Sequence, residues 1–242
     1  MRRPKPVSVG VSSEPVPSVC QDCRVRHEGI CAVLSPSELR HLARNARHTH
    51  HDAGEGLALE SGEINGYANV TNGAVKLSRV LRDGRQQLVG LQFAPDLMGR
   101  LFRAESPLSA EAASDVELCR FPRGVLEALV ASSSNLKQRL LDQSLHDLDE
   151  AREWMVTLGR KSAAEKVASL LLLVAKRSGG GSDDSITFDM PIGRADMADF
   201  LGLTIETVSR QVSKLRHSGV IAISGHRHVK VLSLRALKDR AG

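Results

Sequence analysis

Four cysteines are the residues of this sequence whose type and spacing best suit chemistry. Cys20, Cys23 and Cys31 lie within a dozen residues, in CQDCRVRHEGIC, and Cys119 stands alone in DVELCRFP. Cysteine thiolates are ligands for zinc and for iron–sulfur clusters, and four of them complete either site. A structural zinc site usually has two close CxxC pairs, whereas Cys119 has no cysteine neighbour. The spacing alone does not decide between the two metals.

Disulfides are the less favoured use of these thiols. The amino-terminal residues 1–18 are basic and rich in proline and serine, and they lack the apolar centre and the cleavage site of a secretory signal. No apolar run reaches the roughly 18 residues that a membrane span needs. We therefore expect a flexible tail on a cytoplasmic protein without membrane association, where reduced thiols are available for metal binding or redox chemistry.

The carboxy-terminal third is basic. From Arg160 to Gly242 there are 14 lysines and arginines against 8 acidic residues, in a chain of 242 residues whose formal charge is +5. A local excess of this kind is typical of a nucleic-acid-binding unit, although a solvated basic face gives the same count. No Gly-rich phosphate loop and no nucleophile with a base at a recognisable spacing occurs, so we do not expect an enzyme.

The elements that must position Cys119 are short strands. A capped helix is predicted after Ser35, with Leu39 and Leu42 on one face. Between about residues 53 and 121, Asn72-Gly73 and Asp83-Gly84 separate alternating apolar runs, which predicts hairpins. Several hairpins at this spacing indicate a small antiparallel barrel or jelly roll.

A long helix follows, with apolar residues at near-heptad intervals. Such a stripe favours dimerisation with the same helix of a second chain, and the alternative is a helix packed across its own barrel. The residues expected in the dimer interface are Leu141, Leu145, Leu148 and Met155. The predicted domain boundaries are 1–34 for the tail and cysteine loop, 35–133 for a sensory barrel, 134–159 for the dimerisation helix and 160–242 for a DNA-binding domain.

The last domain has the order of a winged helix-turn-helix. Gly202 is expected to form the turn and Thr204 to cap the next helix. The buried face of that helix is predicted to carry Val208, Val212 and Leu215. The opposite face carries Glu206, Ser209 and Arg210, of which Arg210 suits guanine, Glu206 suits a cytosine amino group and Ser209 suits base or phosphate.

These features together resemble the CRP/FNR family of transcription regulators over nearly the whole chain. The order of sensory jelly roll, long helix and winged helix-turn-helix matches the family, and FLGLTIETVSRQVSKLRHSG is similar to its recognition signature. The resemblance implies an α+β fold with a jelly roll like that of cyclic-nucleotide-binding domains. It also implies a homodimer that binds double-stranded DNA and contacts RNA polymerase.

The cysteine pattern resembles the oxygen-sensing FNR branch. That likeness implies a [4Fe–4S] cluster on Cys20, Cys23, Cys31 and Cys119, TTGAT-type palindromic sites, and control of genes for low-oxygen growth. The seven residues between Cys23 and Cys31 make a longer loop than in the best-known enterobacterial member, and a longer loop leaves its ends free to meet.

Two further expectations follow from the same resemblance. Cyclic nucleotide is not expected as a ligand, because MGRLF at Gly99 and PLSAEA at Ser109 lack the glutamate and arginine of the nucleotide-binding members. The alternative to an oxygen sensor is a zinc-stabilised or small-molecule-responsive regulator of the same general type.

Overall fold

The computed structural model describes residues 16–58, 66–103, 105–178, 180–182, 185–225 and 227–242. Residues 1–15 of the expected flexible tail lie outside the described residues. The helices are α1 (Ser18–Gln21), α2 (Pro36–Asn45), α3 (Arg123–Ser132), α4 (Ser134–Arg160), α5 (Ala163–Ser178), α6 (Arg194–Leu201), α7 (Ile205–His217) and α8 (Leu234–Ala241).

The strands divide into an amino-terminal and a carboxy-terminal set. The first set is β1 (Arg47–His51), β2 (Gly56–Ala58), β3 (Gly66–Asn72), β4 (Ala74–Val80), β5 (Gln86–Phe93), β6 (Leu97–Met98), β7 (Ser109–Ala112) and β8 (Val116–Pro122). The second set is β9 (Gly180–Ser182), β10 (Ser185–Asp189), β11 (Ile221–Ser224) and β12 (His228–Val231).

The amino-terminal strands form two antiparallel sheets. Their orders are β1-β8-β3-β6 and β2-β7-β4-β5. Side chains of both sheets meet in one apolar cluster that includes Val70, Val75, Ala112 and Leu118. Two sheets packed face to face on such a cluster confirm the predicted antiparallel β domain.

One of the two predicted hairpins is wrong. Asp83-Gly84 does join the paired strands β4 and β5, but β3 and β4 on either side of Asn72-Gly73 belong to different sheets. Gly73 has a φ of 82°, and a Cβ there would stand 2.1 Å from the Asp115 carbonyl oxygen. The chain turns a corner at this glycine because Val70 and Val75 are both buried between the sheets.

Helix α2 begins at the predicted cap, and a serine side chain also caps α4. Ser35 accepts a hydrogen bond from the Glu38 backbone N–H while Glu38 accepts one from the Ser35 N–H, which is a capping box. Leu39 and Leu42 of α2 are buried, as predicted. Ser133 caps α4 by accepting from the Leu136 N–H at 3.5 Å.

The carboxy-terminal domain is a winged helix-turn-helix. Its sheet has the order β11-β12-β10-β9, and α5, α6, α7 and α8 pack around one apolar core with it. Helix α8 was not predicted from the sequence. Its Leu237 is fully buried and Ser233 caps its first turn.

The two domains touch through strand β5 and helix α6. Asp199 accepts a hydrogen bond from the Leu88 N–H at 3.1 Å, and Gln87 donates to the Asp199 carbonyl at 2.7 Å. Arg177 pairs with Asp96 and lies 5.7 Å from the centre of the Phe93 ring. None of the helices in the described ranges combines the length and the apolar character that a membrane span requires.

Candidate metal centre and DNA-binding helix

The four cysteines reach one place from four different segments. Cys20 lies in α1, Cys23 precedes a 3₁₀ turn at Arg24–His27, and Cys31 lies in a second 3₁₀ turn at Ile30–Val33. Cys119 lies in β8, the strand between β1 and β3. The short helical turns fold the amino-terminal loop back over the sheet, so that all four side chains line one pocket.

Polar side chains from three further segments share this pocket. Asn69 of β3 and His48 of β1 are the cross-strand neighbours of Cys119 on its two sides. Arg26 lies in the loop between Cys23 and Cys31, and the remaining lining includes Leu39, Leu42 and Phe121. Apolar side chains therefore line the pocket from both α2 and the sheet.

Burial and the neighbouring cysteines raise the pKa of three of the four thiols, which are Cys20, Cys31 and Cys119. Burial, followed by the nearby Cys20 and Cys23, raises the pKa of Cys31 to about 12. Burial also raises the pKa of Cys119 to about 12, with Cys31, Cys20 and Cys23 acting in the same direction. The pKa of Cys20 is raised by burial and by Cys23, while the positive charge of Arg26 opposes both effects.

The four thiols suit a thiolate-bound metal centre by their chemistry. Among the described parts of the chain, no three His, Cys, Asp or Glu side chains form a group that could hold a metal ion. The other cysteines raise the pKa of Cys31 and of Cys119, which agrees with all four thiols lining one pocket. Ligation of a metal centre would replace the thiol protons.

The cysteine loop contacts the long helix α4. Leu136 at the start of α4 is fully buried in the same apolar cluster as Ile30 and Cys119, and Cys31 and Leu140 pack against that cluster. Arg139 donates a hydrogen bond to the Glu28 backbone carbonyl. The position of the loop is therefore tied to the amino-terminal third of α4.

The predicted dimer residues lie on one exposed stripe of α4. The four predicted side chains are between 45% and 72% exposed in the single chain; they are Leu141, Leu145, Leu148 and Met155. Trp154, on another face, packs edge-on against Phe200 of α6 with ring centroids 4.7 Å apart. The helix thus packs on its own chain by one face and leaves the leucine stripe open.

The recognition helix has the predicted geometry. Gly202 has a φ of 61°, in the left-handed region that favours glycine, and Thr204 accepts from the Thr207 N–H at 3.2 Å. Val208, Val212 and Leu215 are buried. These contacts fix α7 against the domain and turn its other face outward.

The predicted base-reading residues lie on that outward face. Glu206 and Arg210 are exposed and Ser209 is partly exposed. The pKa of Glu206 is lowered, first by its own backbone N–H at the start of α7 and then by the Thr204 side chain, so its carboxylate is an acceptor at neutral pH. The same domain has further exposed basic side chains on α7 and on or next to β12; they are Lys214, Arg216, His217, Arg227 and Lys230.

Several residues of the cysteine pocket were not predicted from the sequence, among them Arg26, His48 and Asn69. The sequence could have indicated Arg26, because it is a cationic residue between two of the clustered cysteines. His48 belongs to the run RHTHHD, in which His48 and His50 are exposed in β1, and only strand pairing places His48 beside Cys119. Nothing in the sequence pattern indicated Asn69, since its place beside Cys119 depends on how β3 pairs with β8.

The fold and these two sites define a class of protein. An antiparallel sensory domain joined by a long helix to a winged helix-turn-helix, with a basic outward recognition helix, is a DNA-binding transcription regulator.

Comparisons with known proteins identify the family. Residues 165–240 match the family described as Crp-like helix-turn-helix domain, and residues 49–133 match that described as cyclic nucleotide-binding domain. A probable transcriptional activator of Rhizobium leguminosarum bv. viciae is 49% identical over 222 residues, covering 92% of each chain. The transcriptional activator protein FnrL of Cereibacter sphaeroides is 40% identical over 227 residues, also covering 92% of each.

A solved structure agrees with the sequence relatives. FixK2 from Bradyrhizobium japonicum superposes with a TM-score of 0.74 at 29% identity, covering 81% of this chain and 98% of that one. The chain belongs to the CRP/FNR family of transcription regulators. This membership confirms the predicted fold class and the expectation that the protein is not an enzyme.

Proposed function

We propose that the protein is an oxygen-responsive transcription activator. It binds TTGAT-type palindromes as a homodimer while a [4Fe–4S] cluster is held by Cys20, Cys23, Cys31 and Cys119, and it controls genes for low-oxygen metabolism. The observation that carries the proposal is that all four cysteines, which come from separate segments, line a single pocket. Two relatives that span 92% of this chain are described as activators, one of them FnrL.

The chemistry of the pocket supports a thiolate-bound cofactor. Four thiols with a cationic side chain beside them suit a centre whose ligands are anionic, because Arg26 offsets part of their charge. When bound, an iron–sulfur cluster supplies an oxygen-labile cross-link between the amino-terminal loop and β8.

Contacts between the cysteine loop and α4 would make the position of the dimer helix depend on whether the cluster is bound. Ile30 and Cys31 pack against the cluster of side chains that buries Leu136, and Arg139 donates to the Glu28 carbonyl. Holding the loop in place therefore holds the start of α4, while release of the loop removes both contacts. A loop whose order changes in this way is a common form of switch.

The exposed stripe of α4 is the proposed dimer interface. Leu145 and Met155 are 52% and 72% exposed, and a second copy of α4 would cover them. A two-fold dimer places two α7 helices on successive half-sites of a palindrome, where Glu206, Ser209 and Arg210 would read base edges. The hairpin tip around Asp83 and Arg85, which resembles the loop that contacts the sigma subunit of RNA polymerase in the family, is the proposed polymerase contact.

The proposal does not include cyclic nucleotide as a ligand. Gly99 packs closely on the Tyr67 ring, where a Cβ would stand 2.7 Å from a ring carbon, and Ser109 opens β7. Neither segment brings the glutamate or the arginine that the nucleotide-binding members use. The match of residues 49–133 to the family described by cyclic nucleotide binding therefore reflects the shared sheet architecture in this proposal.

The direct test is the composition of the protein purified without oxygen. We expect a brown protein with broad absorbance at about 400 nm and with iron and acid-labile sulfide in the ratio of the cluster. Exposure to air should bleach it. The variant Cys119→Ser should lose the colour while keeping the fold, because serine is close to cysteine in size but lacks the thiolate that ligates the cluster.

Two results would contradict the proposal. A colourless protein that contains zinc would favour the zinc-stabilised regulator. If Cys119→Ser binds DNA as tightly as the wild type, both with and without oxygen, the result would favour a regulator controlled by a small molecule.

A further inference from the structure

A buried amide side chain lies against the cysteine pocket. Asn69 of β3 is only 2% exposed, and its chain neighbours Ala68 and Val70 are buried apolar residues. It lines the same pocket as the four cysteines and pairs in register with Cys119 of β8. An apolar side chain would be the ordinary occupant of such a position in the core.

The polar atoms of this side chain are directed at sulfur or left without a partner. Asn69 Nδ2 donates to Cys31 Sγ at 3.9 Å, close to the outer limit for an N–H···S hydrogen bond. Asn69 Oδ1 is buried and has no hydrogen-bond partner among the described residues. Buried polar atoms are rarely left unpaired in folded proteins, and an exception calls for a functional reason.

An asparagine suits a sulfur atom that changes its charge. Its N–H groups donate to a thiolate, and its carbonyl accepts from a thiol, so one side chain can pair with Cys31 in either state. Leucine or valine would fill the space without offering either contact. Metal binding converts Cys31 from a thiol to a thiolate, because ligation displaces the proton.

We propose that Asn69 is a positioning residue of the metal centre, which donates a hydrogen bond to the ligating Cys31 sulfur and thereby stabilises the centre against oxidation. The inference rests on the proposed function, since it concerns the same four cysteines. Oxidation moves one electron from the centre to dioxygen, which is reduced to superoxide. A hydrogen bond to a ligand sulfur stabilises the more electron-rich side of the centre's couple, so it raises the reduction potential.

The test compares variants of the full-length protein reconstituted with iron and sulfide without oxygen. Asn69→Leu and Asn69→Val remove both polar atoms, and the two shapes guard against a failure of one variant to fold. Thr71→Val is the matched control, because Thr71 lines the same pocket from the same strand but donates to the Glu117 carbonyl at 3.0 Å. The readouts are the midpoint potential and the rate at which absorbance is lost in air.

We expect both Asn69 variants to bind the cluster with a lower midpoint potential and to bleach several-fold faster than the wild type, while Thr71→Val matches the wild type. A coloured wild type whose Asn69 variants have unchanged potentials and bleaching rates would overturn the role of Asn69 and leave the proposed function standing. A wild type that takes up no cluster would overturn the proposed function and this inference with it.

Discussion

Arg139 of helix α4 donates a hydrogen bond to the backbone carbonyl of Glu28, in the loop between Cys23 and Cys31. The two residues are 111 positions apart in the chain. The contact joins the segment that carries three of the four cysteines to the helix whose exposed stripe is the proposed dimer interface. A movement of the cysteine loop therefore acts on α4 through this contact.

Replacing Arg139 should weaken the link between metal binding and dimerisation. A hydrogen bond from a charged donor contributes about 1–3 kcal/mol, so Arg139→Ala should reduce the metal-dependent gain in dimer stability by roughly that amount. Analytical ultracentrifugation with and without the metal centre measures the gain. Gln143→Ala is the matched control, because Gln143 lies on the same helix away from the leucine stripe and donates locally to Asp147 at 2.7 Å. An equal loss in both variants would contradict this route.

The leucine stripe should be required for the dimer but not for the fold of one chain. Leu145→Lys places a charge on a side chain that is 52% exposed, so the thermal stability of the monomer should change little. Loss of two leucine contacts per dimer should cost about 2 kcal/mol or more and shift the protein to monomers. The same substitution at Gln143, roughly on the other side of the helix, should leave the dimer intact. Monomers from both variants would show that the stripe is not the interface.

The recognition helix should separate base reading from phosphate binding. Arg210→Ala should cost about 1–3 kcal/mol on the preferred site and relax the choice at one base pair, because Arg210 lies on the outward face of α7. Lys230→Ala should weaken binding to all sequences alike. It should also reduce the slope of the logarithm of the binding constant against the logarithm of the salt concentration by about one. Titrations of matched and mismatched duplexes at several salt concentrations distinguish the two. If Arg210→Ala weakens binding to matched and mismatched duplexes equally, Arg210 does not read a base.

The buried thiols should resist ionisation in the metal-free protein. The pKa values of Cys31 and Cys119 are raised to about 12 by burial, whereas a free thiol has a value near 9.0. The folded chain therefore keeps these protons to higher pH than the unfolded chain does, and its stability should fall as pH rises from about 9 towards about 12. Chemical denaturation of metal-free protein across this range measures the effect. A free energy of unfolding that rises with pH there would contradict the burial of the two thiols.

Much of the carboxy-terminal domain could be predicted because its signals are local. Gly202 determines a left-handed turn and Thr204 determines where α7 begins, and both depend only on neighbouring residues. The same holds for the capping box at Ser35. The amino-terminal domain was harder, because Asn72-Gly73 has the composition of a hairpin while the burial of Val70 and Val75 between two sheets decides the pairing.

The sequence singled out the four cysteines of the candidate metal centre but not the residues around them. The cysteines could be found by type, but Asn69 and His48 reach Cys119 only through the registers of β3 and β1 with β8. Register is set by which faces of the strands are buried, and that depends on the whole sheet. The contact between Arg139 and Glu28 likewise depends on how the loop folds over α4.

The most direct test of the central claim follows DNA binding and cluster absorbance in one sample as air is admitted. The protein, prepared without oxygen, is bound to a labelled TTGAT-type palindrome, with a scrambled duplex and the Cys119→Ser variant as controls. We predict specific binding by the coloured wild type, lost in step with the absorbance at about 400 nm, and no specific binding by the variant. Binding that persists unchanged after complete bleaching would contradict the claim that the cysteine pocket controls the regulator.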